Sequence, residues 1–139
     1  MNERLVERIL RADALVDLVA GVLLLSATWD DLLDTLDLPQ AHPALLVQLG
    51  GALSLGFAYL LWVAPTDATL TRHVSLGAAI ANGIAAPMIL AWLVFSDPRV
   101  GTQGTIELAA VSALLAFFAL AQARMAAAPV VVRPVEPGA

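Results

Sequence analysis

RADALVDLVAG, residues 11–21, opens an apolar run that continues as VLLLSATW at 22–29. The fold turns on whether this run crosses a membrane, because Arg11, Asp13 and Asp17 sit inside it. An ionisable group at mid-span costs roughly 2.5–3.5 kcal/mol on insertion scales, and less toward the helix ends. The run nevertheless has spanning length, which is roughly 20 residues. Asp13 and Asp17 stand one turn apart on a single helical face that continues to Gly21. Asp13 also lies in a first turn, where a carboxylate meets the positive helix end. A cleaved leader fits the stretch poorly: such a leader is basic where this chain has Asp13 and Asp17, and a cut after Ala27 would place the large Leu25 where a small residue is preferred. The run is therefore read as a helix of the mature protein, over about 9–29.

Three further runs share its length. They cover about 44–64, between Pro43 and Pro65, about 73–95, ending before SDP at 96–98, and about 105–124. Turn chemistry separates them: LPQAHP at 38–43, PTDAT at 65–69 and SDPRVGTQG at 96–104. Leu and Ala dominate, which favours helix, and the alternation of a membrane barrel is absent. The expected fold is all-α: a four-transmembrane-helix bundle running up-down-up-down. Residues 1–128 form its single membrane domain, and 129–139, PVVVRPVEPGA, a flexible Pro-rich tail.

Composition supports the same class. The 139 residues are 60% hydrophobic and only 14% charged, too little polar surface to cover a water-soluble core. Lipid is the solvent such a surface asks for. A formal net charge of −5 leaves no basic patch for a nucleic-acid backbone. The absence of cysteine removes disulfides, thiolate metal sites and cysteine nucleophiles.

Arginine placement sets orientation. With four spans, Arg4, Arg8, Arg11, Arg72, Arg124 and Arg133 share one side, and Arg99 lies on the other beside Asp30, Asp31, Asp34 and Asp37. The positive-inside rule then puts both termini in the cytoplasm of a bacterium, with the chain in its plasma membrane. Trp29, Trp62 and Trp92 fall near helix ends, where amphipathic rings prefer the interface.

Counting depth at about 1.5 Å per residue brings Arg11, Asp13, Asp17, Asn82 and Gln122 into the inner half of the bundle. A second polar group, Gln48 and Glu107 with Ser26 and Thr28, falls in the outer half. The inner group answers to two arrangements. One is an interhelical clasp, with Asp17 hydrogen-bonded to Asn82 and Asp13 balanced by an arginine. The other is a polar pocket that opens to the cytoplasm and holds a ligand or passes protons. Pro87 removes a backbone bond to Gly83, so a hinge or a static kink is expected just beyond Asn82. Small residues four apart (Gly50 and Ser54, Ala52 and Gly56, Gly77 and Ala81, Ala79 and Gly83, Ala109 and Ala113) suggest close helix contacts, within the bundle or in a homodimer.

Catalytic signatures are missing. HExxH, GxSxG and P-loop patterns do not occur, and His42 and His73 lie on opposite sides, so no metal site or cofactor is expected. The RADAL opening with Gly21 downstream, Gly50 and Gly51, Asn82 and the closing ALAQAR resemble small, mostly uncharacterised bacterial four-helix membrane proteins. In size and layout the chain is similar to the DoxX-like group, which implies a subunit accompanying a quinone-linked oxidoreductase. In helix count it is similar to the small multidrug transporters, where Asp17 would stand for their first-helix glutamate. The expectation is a non-enzymatic accessory or scaffold-like membrane protein, partnered by the bilayer, by a second copy or by a membrane complex. The alternatives are a proton-coupled carrier using Asp17 and Asn82, and a quinone-linked oxidoreductase subunit.

Overall fold

A computed structural model describes residues 3–26, 29–36, 44–95 and 100–127. Thr28, His42, Arg99, Arg133 and the 129–139 tail lie outside the described residues. The described chain is all-helical: α1 (Glu3–Leu25), α2 (Asp30–Thr35), α3 (Ala44–Val63), α4 (Ala68–Phe95) and α5 (Thr102–Ala127), with a 3-10 turn at Ala64–Thr66. Among the described residues, three segments are long and apolar enough to cross a membrane: Ala44–Thr66, Ala68–Phe95 and Thr102–Ala127. Large apolar side chains such as Leu53, Ile84, Met88, Val94 and Ile106 stand exposed on them, as lipid-facing residues do. The chain therefore belongs to the class of helical membrane proteins. At 23 residues α1 is also long enough, at about 35 Å. Its charges, Glu3, Arg4, Glu7, Arg8, Arg11, Asp13 and Asp17, set it apart from the other three.

Helix ends differ from the sequence expectation for local reasons. α4 starts at Ala68, five residues before the expected 73, because Asp67 caps it: the Leu70 amide donates to Asp67 Oδ1 at 2.7 Å. Thr71 Oγ1 donates back to the Ala64 carbonyl at 2.7 Å, which closes the turn from α3 to α4 around Pro65. α1 reaches back to Glu3 through the charged lead-in, where Arg11 pairs with Glu7 at 2.7 Å, one turn away. The short α2 was not foreseen; it winds within the acidic loop, with the Leu32 and Leu33 amides donating to the Trp29 carbonyl and Leu33 buried.

The long helices pack as two close pairs, α1 with α3 and α4 with α5. The first pair is antiparallel: Gly21 meets Gly51 at one end, and Leu10 and Leu61 share a core at the other. That core takes residues from all four long helices: Leu10, Ala14, Leu61, Val74, Ala78 and Met125, closed by Ala64 of the turn. The pairs are thus joined at the end that carries the α3–α4 turn.

Gly21 and Gly51 allow a close approach of α1 and α3. A Cβ added at Gly51 would lie 2.8 Å from the Gly21 carbonyl oxygen and 2.9 Å from the Leu25 amide nitrogen. One added at Gly21 would meet Leu55 at 2.7 Å and the Gly51 oxygen at 3.0 Å. Within the bundle, Gly50, Gly56 and Gly77 make no such approach: a Cβ at any of them would meet nothing within 4 Å. Adjacent helical positions point about 100° apart, so when Gly51 faces α1 its neighbour Gly50 cannot. Gly51→Ala should therefore destabilise the protein by about 1–3 kcal/mol, the usual cost of overpacking. Gly50→Ala and Gly56→Ala should be neutral or stabilising by up to about 1 kcal/mol through helix propensity. Thermal unfolding of the three variants in one detergent checks the contrast.

Candidate functional site

Three helices bring one amide or carboxylate each to a single buried point. α1 presents Asp13, α4 presents Asn82 and α5 presents Gln122, with Asp13 and Gln122 fully buried and Asn82 nearly so. The helical period explains why each faces inward. On α4 the buried residues Ser75, Ala78, Asn82 and Ala86 recur at three- and four-residue steps, so Asn82 belongs to a face of otherwise small side chains. On α5, Leu115, Phe118, Gln122 and Met125 do the same. On α1, Leu10, Asp13 and Ala14 form the inward face.

The hydrogen bonds close into a ring. Asn82 Nδ2 donates to Asp13 Oδ2 at 3.1 Å and to Gln122 Oε1 at 3.2 Å. Gln122 Nε2 donates to the same Asp13 Oδ2 in a short contact. One carboxylate oxygen thus receives donors from both amides, and the amides are bonded to each other. The other oxygen, Asp13 Oδ1, is buried and has no partner. Asp17 lies one turn further along α1, half-buried, and its Oδ2 is likewise buried without a partner.

Two details of the expected clasp differ. Asn82 bonds to Asp13 and not to Asp17, because the register of α4 against α1 sets the amide at the level of the earlier carboxylate. Arg11 does not balance Asp13. Two residues along a helix turn the side chain by about 200°, which sends Arg11 away from the inward face. Its guanidinium pairs with Glu7 and lies over the Trp62 ring, 5.2 Å from the centroid. A cation on an aromatic face at this distance is attracted by the ring quadrupole.

The outer polar residues make separate contacts. Gln48 Nε2 donates to the Leu25 carbonyl at 3.3 Å and so covers the end of α1. Glu107 accepts from Gln103 on its own helix at 2.9 Å, and Ser26 Oγ donates to the Val22 carbonyl at 2.9 Å. α4 runs unbroken through Pro87, which is exposed, and a Cβ added at Gly83 would meet Ala119 of α5 at 3.8 Å, an ordinary contact. Sequence reasoning missed Ser112, whose buried Oγ donates across to the Ala86 carbonyl at 2.8 Å, one residue before Pro87. A lone hydroxyl in the apolar AAVSALLAFF was the available signal. Among the described residues, no group of three or more His, Asp or Glu side chains is placed to hold a metal ion.

No protein-family model, curated protein or solved structure matches the chain.

Asn82→Ala and Gln122→Ala should lower stability to a similar degree, because each amide takes part in two of the ring's three hydrogen bonds. Interhelical polar contacts contribute roughly 0.6–2 kcal/mol each, and the double variant should lose less than the sum because the amides also bond to one another. A double-mutant cycle read by thermal unfolding measures that coupling. Additivity would show that the ring does not act as a unit.

Proposed function

We propose that this is a four-pass accessory or scaffold-like membrane protein with α1 as the additional span and both termini in the cytoplasm. The observation that carries the reading is the inward-turned polar ring. Asp13, Asn82 and Gln122 bond to one another and tie three helices together. α1 is polar on the face that meets α4 and α5, while Leu15, Leu18, Val19 and Val22 stand exposed around it, as a span with lipid on its outside requires. The up-down-up-down course draws support from the antiparallel registers: Gly21 with Gly51, and Asn82 with Gln122 alongside Ala86 with Ser112. Six of the seven arginines then fall on the cytoplasmic side, which favours the plasma membrane of a bacterium.

The absence of cysteine makes topology directly testable. Single substitutions Glu3→Cys, Asp34→Cys and Thr69→Cys would be labelled in intact cells with a membrane-impermeant maleimide. Asp34→Cys should label from outside, and the other two only after permeabilisation. Labelling of Glu3→Cys and Asp34→Cys from the same side would place α1 on the membrane surface and remove the fourth span.

A proton-coupled carrier using Asp17 and Asn82 is the second reading, and the unpartnered oxygens of Asp13 and Asp17 favour it. Purified protein in sealed vesicles separates the two. The accessory reading expects an imposed pH gradient to decay as in protein-free vesicles. Accelerated decay that Asp17→Asn abolishes would replace it with the carrier.

A further inference from the structure

Asp13 is fully buried, yet only one of its two oxygens is hydrogen-bonded. Both amide donors converge on Oδ2, and Oδ1 is left bare. Asp17, one helical turn away on the same face, also holds a buried bare oxygen. A buried carboxylate is tolerated where a positive group or a donor meets it. The neighbouring elements bring neither to Asp13 Oδ1 or Asp17 Oδ2. On α1 itself, Arg11 is engaged with Glu7 and Trp62, and Arg8 lies exposed on the lead-in. α3 carries no charged residue between Ala44 and Val63. On α4, Arg72 and His73 are exposed nine or more residues before Asn82, about 14 Å along the helix. On α5, Arg124 is exposed, beyond the buried Gln122.

We propose that Asp13 and Asp17 together form a binding site for one exchangeable proton, held on the side of Asp13 Oδ1 and Asp17 Oδ2. The amides determine the side. With Oδ2 accepting two N–H groups, it serves as the carbonyl oxygen of a neutral carboxyl, and the hydroxyl belongs on Oδ1. The proton thus sits on the unbonded oxygen of Asp13, one helical turn from Asp17, and the amide ring is kept whether the site is filled or empty. A single proton leaves the pair with one negative charge in place of two. The inference rests on the reading of α1 as a membrane span, which the labelling experiment tests separately.

Infrared absorption of the protein in lipid bilayers reads the site directly, because a protonated carboxyl has its own carbonyl band. The pH would be stepped from about 5 to about 9, a range in which ordinary aspartates are already ionised. The expected result is a protonated-carboxyl band equivalent to one group per chain that falls as pH rises. Asp17→Asn should remove that titration, since its amide can donate to Asp13 Oδ1 in the proton's place. The wild-type titration stands by itself if the variant fails to fold. A band that is absent, or constant, over the whole range overturns the proposal. So does a band that appears only when sodium and potassium are replaced by a bulky organic cation, which would assign the site to a metal cation.

Discussion

The structure depends on one oxygen atom. Asp13 Oδ2 is the acceptor on which α4 and α5 both place an amide, so it is the point where the α1–α3 pair is fastened to the α4–α5 pair by directional bonds. The surrounding core of Leu10, Ala14, Leu61, Val74, Ala78 and Met125 excludes water there but has little power to choose a register. In lipid that distinction grows, because apolar side chains gain little by meeting one another instead of acyl chains. Packing, small residues and polar contacts then hold the helices. This chain uses all three: the ring at one end, the Gly21–Gly51 approach further along, and the Ser112 bond to the Ala86 carbonyl between α4 and α5.

Those contacts also share a chemical character. Asn82 and Gln122 are neutral, and each can donate and accept at once. Two such groups can satisfy each other and still present donors to a carboxylate. An arginine in the same place would bring a full charge and a long stem into a space built for Ala78 and Ala86. The arginine nearest in sequence lies over Trp62, half-exposed, and keeps its charge toward the helix end. Arginine is thereby kept out of the ring, and neutral amides alone meet the buried carboxylate.

How much was legible in the sequence follows from what each signal measures. Hydropathy and proline punctuation locate α3, α4 and α5, because a span needs length and little else. Depth counting selects Asp13, Asn82 and Gln122 as neighbours, since each interrupts an apolar run at a similar distance from one side. The same count includes Arg11, because depth ignores direction around the helix, and a rotation of about 200° separates Arg11 from Asp13. Asp13 and Asp17 share a face, so periodicity gives no means of choosing which one meets Asn82; only the register of a second helix does. The choice between Gly50 and Gly51 is of the same kind. Helix starts depend on caps, and Asp67 moves the start of α4 by a whole turn. α2 owes its existence to a few backbone bonds around Trp29.

The ring has a further consequence in time. Asp13 and Gln122 are separated by 109 positions, and Asp13 and Asn82 by 69. A chain made from its N-terminus therefore exposes this buried carboxylate long before the last partner for it, 109 positions later. The α1–α3 pair can form early through Gly21 and Gly51, but it must wait with Asp13 incompletely bonded until α5 has emerged. The ring closes only when α5 arrives, and a chain lacking α5 would leave Asp13 with Asn82 as its one amide donor.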